Sequence, residues 1–144
     1  MTASENAAFF RNLQYQHQES VAGHVRANLV RFFDHYHCPQ INYDLIGQYI
    51  AVADKYQLPY TLLPSISLQE STCFEHYRLN NAWGWASART GFQSPGDGIE
   101  FISNQLANGK YYAGKTIEQK LVSYNSLQYA KRVEQIMQEI ETQR

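Results

Sequence analysis

Glu70 is the residue whose position in this sequence most clearly suggests chemistry. It follows the apolar stretch 62–69, which predicts a buried helix, and it therefore stands at the C-terminal end of that helix. Burial and the negative end of a helix dipole both disfavour a charged carboxylate, so both would raise its pKa. A raised pKa is what a general acid needs near neutral pH. The alternative is a surface glutamate that merely ends a helix.

Two short segments after Glu70 contain residue types that bind sugars. Residues 80–85 read Asn-Asn-Ala-Trp-Gly-Trp, and Tyr124-Asn125 follows a later predicted helix. Amides hydrogen-bond hydroxyl and acetamido groups, and indole faces cover the apolar faces of pyranose rings. A tyrosine hydroxyl at position 124 could orient a carboxylate or a substrate acetamide. The alternatives are a turn with two buried tryptophans and a core tyrosine.

The cysteines and three of the histidines form a second group to consider. Cys38 and Cys73 could form a disulfide in an oxidising compartment or remain two buried thiols in a cytosolic one. With His35, His37 and His76 they make two short clusters that could meet as a zinc site in a metal-stabilised interaction domain. Because the spacings His-x-His-Cys and Cys-x-x-His match no standard zinc pattern, we predict neither metal nor cofactor.

Composition limits the class of protein before any motif is considered. The chain has 144 residues, of which 44% are hydrophobic and 17% charged, with a net charge of −1. These values predict one folded domain and exclude a disordered chain. No apolar run approaches the ~20 residues of a membrane span, and no basic excess indicates a nucleic-acid partner. The first residues do not read as an intact secretory signal, which leaves the location open.

The elements that must position these residues are mostly helical. Apolar residues recur at helical spacing, Pro39 and Pro59 end the first two helices, and Pro64 lies in the first turn of the third. Two extended pieces around Ser87–Arg89 would make a small hairpin. Later helices begin at Ser94-Pro95, at a Thr116/Gln119 capping box and at Ser126. The sequence predicts a mainly α (α+β) domain with one short β-hairpin after the Glu70 helix.

Taken in order, these pieces resemble the lysozyme-like superfamily, nearest the bacterial lytic transglycosylases and the peptidoglycan endo-β-N-acetylglucosaminidases. The resemblance covers roughly residues 40–142, and it depends on the order and spacing of short motifs. The matching segments are Ala53–Pro59, Leu62–Ser67, Glu70-Ser71, Asn80–Trp85, Phe92–Ser94 with Gly98–Glu100, Tyr124-Asn125, and Tyr129-Ala130 with Val133.

This resemblance implies a catalytic domain over residues 39–144, with residues 1–38 as a helical extension packed on it. Glu70 takes the place of the catalytic acid, and the substrate is peptidoglycan or a related N-acetylated glycan. Such a substrate implies an extracytoplasmic location, periplasmic or secreted, where a Cys38–Cys73 disulfide is favoured. We expect a monomer. The substrate-binding candidates are Asn81, Trp83, Trp85, Tyr111, Tyr112, Tyr124 and Asn125.

The sequence departs from this family at the second acid. Many related glucosaminidases carry a second acid on a longer hairpin, whereas residues 86–91 here contain no carboxylate. Asp97 and Glu100 are the candidates that follow, on the next predicted helix, although two-carboxylate hydrolysis needs acids about 5–10 Å apart. A one-glutamate mechanism fits better, in which the substrate's own acetamide or C6 hydroxyl attacks. The alternative is a catalytically inactive glycan-binding or interaction module of the same fold.

Overall fold

Six α-helices and one 3₁₀ helix make up the regular structure of the computed structural model, which describes residues 2–38, 41–71, 80–88 and 91–142. The described part is mainly helical, as predicted. The helices are α1 (Ala3–His35), α2 (Tyr43–Lys55), α3 (Leu62–Ser71), a 3₁₀ helix (Trp85–Ala88), α4 (Pro95–Asn108), α5 (Ile117–Tyr124) and α6 (Leu127–Thr142).

The short β-hairpin predicted around Ser87–Arg89 does not form in the described residues, which contain no strand. Ser87 belongs to the 3₁₀ helix, and Arg89 lies outside the described ranges. The physical reason lies just before it: Gly84 and Ala86 have φ angles of +66° and +52°, which an extended strand cannot contain. The chain therefore turns tightly here instead of extending.

Polar caps decide where several helices begin. The Ser94 hydroxyl accepts from the Asp97 N–H at the start of α4, and the Thr116 hydroxyl and the Gln119 side chain form a reciprocal capping box on α5. The Ser126 hydroxyl accepts from the Tyr129 N–H in the same way at α6. These side chains satisfy backbone donors that have no partner inside the helix, so all three predicted starts are confirmed.

Helices α1 and α2 both end in a left-handed residue that is not glycine. His37 has φ +51°, and the Cys38 N–H donates back to the Phe33 carbonyl. Gln57 has φ +56°, and the Leu58 N–H donates to the Ala53 carbonyl. This is the Schellman arrangement, which stops a helix by local hydrogen bonds alone.

Helix α3 lies in the middle of the core, and its position fixes where Glu70 emerges. Every residue from 61 to 67 is buried, and α3 packs on α6, which packs in turn on α5 and α1. Helix α2 packs on α1 and α4. The largest fully buried side chains are Leu29, Phe32, Tyr49, Leu62, Ile66, Trp83, Ile99, Ile102, Leu106, Leu121 and Tyr129.

Helix α1 divides into an exposed beginning and a buried end. Residues 2–13 are all exposed, whereas Leu29, Phe32 and Phe33 are buried in the same core as the other helices. Within the described ranges, no helix combines the length and the apolar character that crossing a membrane requires.

Candidate active site

A cavity of about 440 Å³ lies at the C-terminal end of α3. Four segments that are distant in sequence form its walls: the end of α3, the turn at 84–86, the turn after α4 and the end of α5. Its lining residues are Glu70, Gly84, Trp85, Ala86, Tyr112, Tyr124 and Asn125. The fold thus brings together Glu70 and four of the residues that the sequence suggested for substrate binding.

The Glu70 carboxyl group is partly buried in this cavity. Loss of solvent raises its pKa, while the Tyr129 hydroxyl and the Arg132 guanidinium lower it to a smaller extent. The Tyr129 hydroxyl lies close enough to the carboxyl group to influence its pKa, but the two do not form a hydrogen bond of standard geometry. The net effect is a carboxyl group that holds its proton to a higher pH than a solvated glutamate.

Gly84 allows the carboxyl group to sit where it does. A Cβ atom built on Gly84 would lie 2.7 Å from Glu70 Oε2 and 3.1 Å from Glu70 Cδ. The φ angle of Gly84, +66°, also lies in the left-handed region that glycine enters most easily. Two independent constraints therefore favour glycine at this position.

Asn81 lies behind the cavity wall. It is 2% exposed, its Nδ2 donates to the Trp85 carbonyl at 2.8 Å, and its Oδ1 accepts from the Trp85 N–H at 3.0 Å. The neighbouring Asn80 Nδ2 donates to the Phe92 carbonyl at 2.9 Å. Both amides thus bond to the backbone of their own loop. Their contribution to the site is to hold the chain around Trp85 in place.

The two tryptophans have different environments. Trp83 is 0% exposed and packs edge-on against the rings of Tyr49 and Phe92 in the core. Trp85 is partly buried and lines the cavity, with its ring centroid 6.0 Å from that of Tyr112 and 5.9 Å from that of Tyr124. Only Trp85 is placed to meet a ligand.

Tyr124 links the core to the cavity. Its hydroxyl donates to the Trp83 carbonyl, and its ring stacks on that of Tyr129 at 5.9 Å. Burial raises the pKa of Tyr124 well above 10, and the nearby charge of Glu70 adds to the effect. Asn125, the C-terminal cap of α5, is exposed beside it with its N–H bonded to the Leu121 carbonyl. Asn125 lines the cavity and carries a side-chain amide.

Tyr111 and the two candidates for a second acid lie elsewhere. Tyr111 is 66% exposed, with Lys110 Nζ 5.6 Å from its ring centroid, and it does not line the cavity.

Asp97 is exposed in the first turn of α4. Glu100 accepts from Lys55 Nζ at 2.6 Å and from the Tyr56 hydroxyl at 2.5 Å, and these two bonds lower its pKa. Neither acid is among the described residues that line the cavity, where Glu70 is the only carboxylic acid.

The histidine and cysteine clusters can be followed only in part. In the described ranges, no group of three or more His, Cys, Asp or Glu side chains is placed to hold a metal ion. Cys73 and His76 lie outside those ranges. The disulfide between Cys38 and Cys73 therefore stays a prediction, as does the alternative grouping of these residues with His35 and His37.

Comparison with known proteins returns no match: no family model, no curated protein and no solved structure is similar to this chain. The assignment of a function therefore depends on the chemistry of the cavity.

Proposed function

We propose that the chain is a peptidoglycan-cleaving glycosidase of lysozyme-like type, with Glu70 as its general acid. The observation that carries the proposal is a partly buried carboxyl group inside a 440 Å³ cavity walled by Trp85, Tyr112 and Tyr124. Aromatic faces suit the apolar faces of pyranose rings, and the volume is in the usual range for small-ligand sites. The Asn125 amide suits a substrate acetamide.

In this proposal Glu70 transfers its proton to the glycosidic oxygen while the bond from that oxygen to the anomeric carbon breaks. Since burial raises the pKa of Glu70, the residue keeps this proton closer to neutral pH than a solvated glutamate does. The departing sugar leaves as an alcohol, and Glu70 becomes a carboxylate.

The nucleophile in this proposal comes from the substrate, because Glu70 is the only acid among the described lining residues. When the acetamide oxygen attacks, water later adds to the anomeric carbon, the bond from that carbon to the acetamide oxygen breaks, and the water proton passes to the Glu70 carboxylate. When the C6 hydroxyl attacks, its proton passes to the Glu70 carboxylate and an anhydro-sugar forms. Both routes return Glu70 to its protonated state, and they leave different ends on the product.

The proposal extends to the setting of the protein. Residues 39–144 are the catalytic domain in this proposal, residues 1–38 are a helical extension whose buried end packs on it, and the protein acts as a monomer outside the cytoplasm. There a bond between Cys38 and Cys73 would tie the segment after Glu70 to the end of α1.

The test is digestion of purified sacculi, followed by mass spectrometry of the products before and after borohydride reduction. We expect soluble fragments from the wild type and none from Glu70→Gln. Glu118→Gln, which changes an exposed glutamate on α5, is the matched control and should digest normally. Reducing N-acetylglucosamine, reducing muramic and anhydro-muramic ends differ in mass and in reactivity, so one experiment also identifies the bond and the nucleophile.

A second candidate is a glycan-binding module without catalysis, which the single acid in the described lining favours. It predicts measurable binding of chitin oligomers and no release from sacculi by the wild type. Equal release by the wild type and by Glu70→Gln would reject the assignment of Glu70.

A further inference from the structure

Lys120 is a buried cation beside the candidate active site. It lies on α5 and is 7% exposed. Its Nζ donates to the Leu106 carbonyl at 2.6 Å and to the Tyr112 carbonyl at 2.8 Å. A lysine at this depth is rare in proteins, and it needs hydrogen-bond partners to offset the loss of water.

These two bonds join three separate segments at one ammonium group. Leu106 lies in the last turn of α4, where carbonyl groups lack N–H donors inside the helix and a positive charge is favourable. Tyr112 lies in the turn between α4 and α5, and Lys120 itself belongs to α5. The ammonium group therefore fixes the turn relative to both helices.

Besides the Lys120 bond, the exposed Lys115 attaches the turn to α5, because its Nζ donates to Ser123 Oγ at 2.8 Å. The backbone bonds of the turn are local, from the Tyr112 and Ala113 N–H groups to the Gly109 carbonyl and from the Lys115 N–H to the Tyr112 carbonyl. Residues 110, 111 and 113–115 are exposed, and Tyr112 is the residue of the turn that reaches the cavity. The bond from Lys120 thus acts on the residue that forms this part of the wall.

We infer that Lys120 is a positioning residue that holds Tyr112 against Trp85 and so completes the aromatic wall of the cavity. The ligand named in the test, an N-acetylated glycan, rests on the proposed function. The positioning itself does not, because it can be measured on the free protein.

The first measurement is hydrogen exchange of the peptide covering residues 107–116. Lys120→Met keeps an unbranched side chain of similar length but cannot donate, so we expect exchange in this turn to rise about tenfold or more, with α6 unchanged. Lys131→Met is the matched control, because Lys131 is an exposed lysine on α6 and lies outside the turn. It should leave the exchange of the turn unchanged.

The second measurement is a double-mutant cycle on the affinity for chitin oligomers. We expect Lys120→Met and Tyr112→Ala each to weaken binding about tenfold, the size typical of one lost aromatic contact. The double variant should bind no more weakly than Tyr112→Ala alone, because Lys120 acts through Tyr112. On a cleaved substrate, KM should rise with kcat nearly unchanged.

The outcomes separate the two proposals. Faster exchange in Lys120→Met, with no glycan binding or cleavage by the wild type, supports the positioning role and rejects the proposed function. Unchanged exchange and affinity in Lys120→Met would overturn the positioning role and leave the proposed function untouched. The positioning role would also be overturned if the double variant lost affinity by the product of the two single losses. Should Lys120→Met fail to fold, Lys120→Gln takes its place: its side chain is one atom shorter and uncharged, so exchange in residues 107–116 should still rise, by a smaller factor, and unchanged exchange would overturn the positioning role.

Discussion

Replacing Gly84 with alanine tests the position of the Glu70 carboxyl group. The new Cβ would lie 2.7 Å from Glu70 Oε2, against the 3.4 Å at which ordinary contact begins, so the carboxyl group must move by about 0.7 Å (3.4 − 2.7). The nearest atoms belong to the end of a flexible side chain, so relief of the clash is cheap. The left-handed backbone conformation at this position should lower the free energy of unfolding of the alanine variant by about 1–2 kcal/mol relative to glycine.

The two consequences of Gly84→Ala have different sizes. For a chain of this length, that destabilisation lowers Tm by about 3–8 °C. Displacement of a general acid by about 0.7 Å should lower kcat about 10- to 100-fold. If the carboxyl group moves toward solvent, its pKa falls. The basic limb of the pH–rate profile, where a general acid loses its proton, then shifts to lower pH.

The assay measures kcat on sacculi or a chitin oligomer between about pH 4 and 9, with Tm determined by calorimetry. Gly114→Ala is the matched control, because Gly114 has φ +75° and no atom within 4 Å of a Cβ built on it. It should lose similar stability and keep its activity. If Gly84→Ala lost only stability and retained the wild-type kcat and pH profile, Gly84 would not be what places the Glu70 carboxyl group.

Three further changes test single contacts. Tyr129→Phe removes a hydroxyl that lowers the pKa of Glu70, so the basic limb of the pH–rate profile should move to higher pH, and an unmoved limb would contradict the placement of this hydroxyl beside the acid. Asn81→Ala deletes two hydrogen bonds to the Trp85 backbone, so the free energy of unfolding, measured with denaturant, should fall by about 2–4 kcal/mol. A fall of less than about 1 kcal/mol would count against the role of Asn81 in holding Trp85. Gln57→Gly places glycine at a left-handed position at the end of α2, so the free energy of unfolding should rise by up to about 1 kcal/mol in the same measurement. A fall would show that the lost bond from Gln57 Nε2 to the Asp54 carbonyl contributes more to stability than the relief of the backbone does.

The helical framework could be predicted because its signals are local. Ser94 and Thr116 cap helices through bonds three residues away, and the apolar residues of α2 and α6 recur at helical spacing. The turn at 84–88 could not be predicted in this way. Its path depends on left-handed residues, one of them an alanine, and sequence composition does not reveal that choice.

The candidate site, too, could be predicted from the sequence only in part. The place of Glu70 at the end of an apolar helix is readable from the sequence, because burial and helix position act on a single side chain. Which of two neighbouring aromatics faces the cavity is not readable. Trp85 and Tyr112 line it, while Trp83 and Tyr111 do not, and the bonds that decide this come from Asn81 and from Lys120, which is eight residues beyond Tyr112.

The central claim, that Glu70 is the acid of a glycan-cleaving site, is tested most directly by Glu70→Gln on purified sacculi. Burial raises the pKa of Glu70 above its value in the unfolded chain, so stability falls as the pH rises from the unfolded-state pKa through the folded-state pKa, and the full loss is present above that range. At pH 7 the glutamine variant should therefore melt at or slightly above the wild-type temperature. We predict that this stable variant releases no soluble glycan, while Glu118→Gln releases as much as the wild type. Release by Glu70→Gln at the wild-type rate would contradict the account.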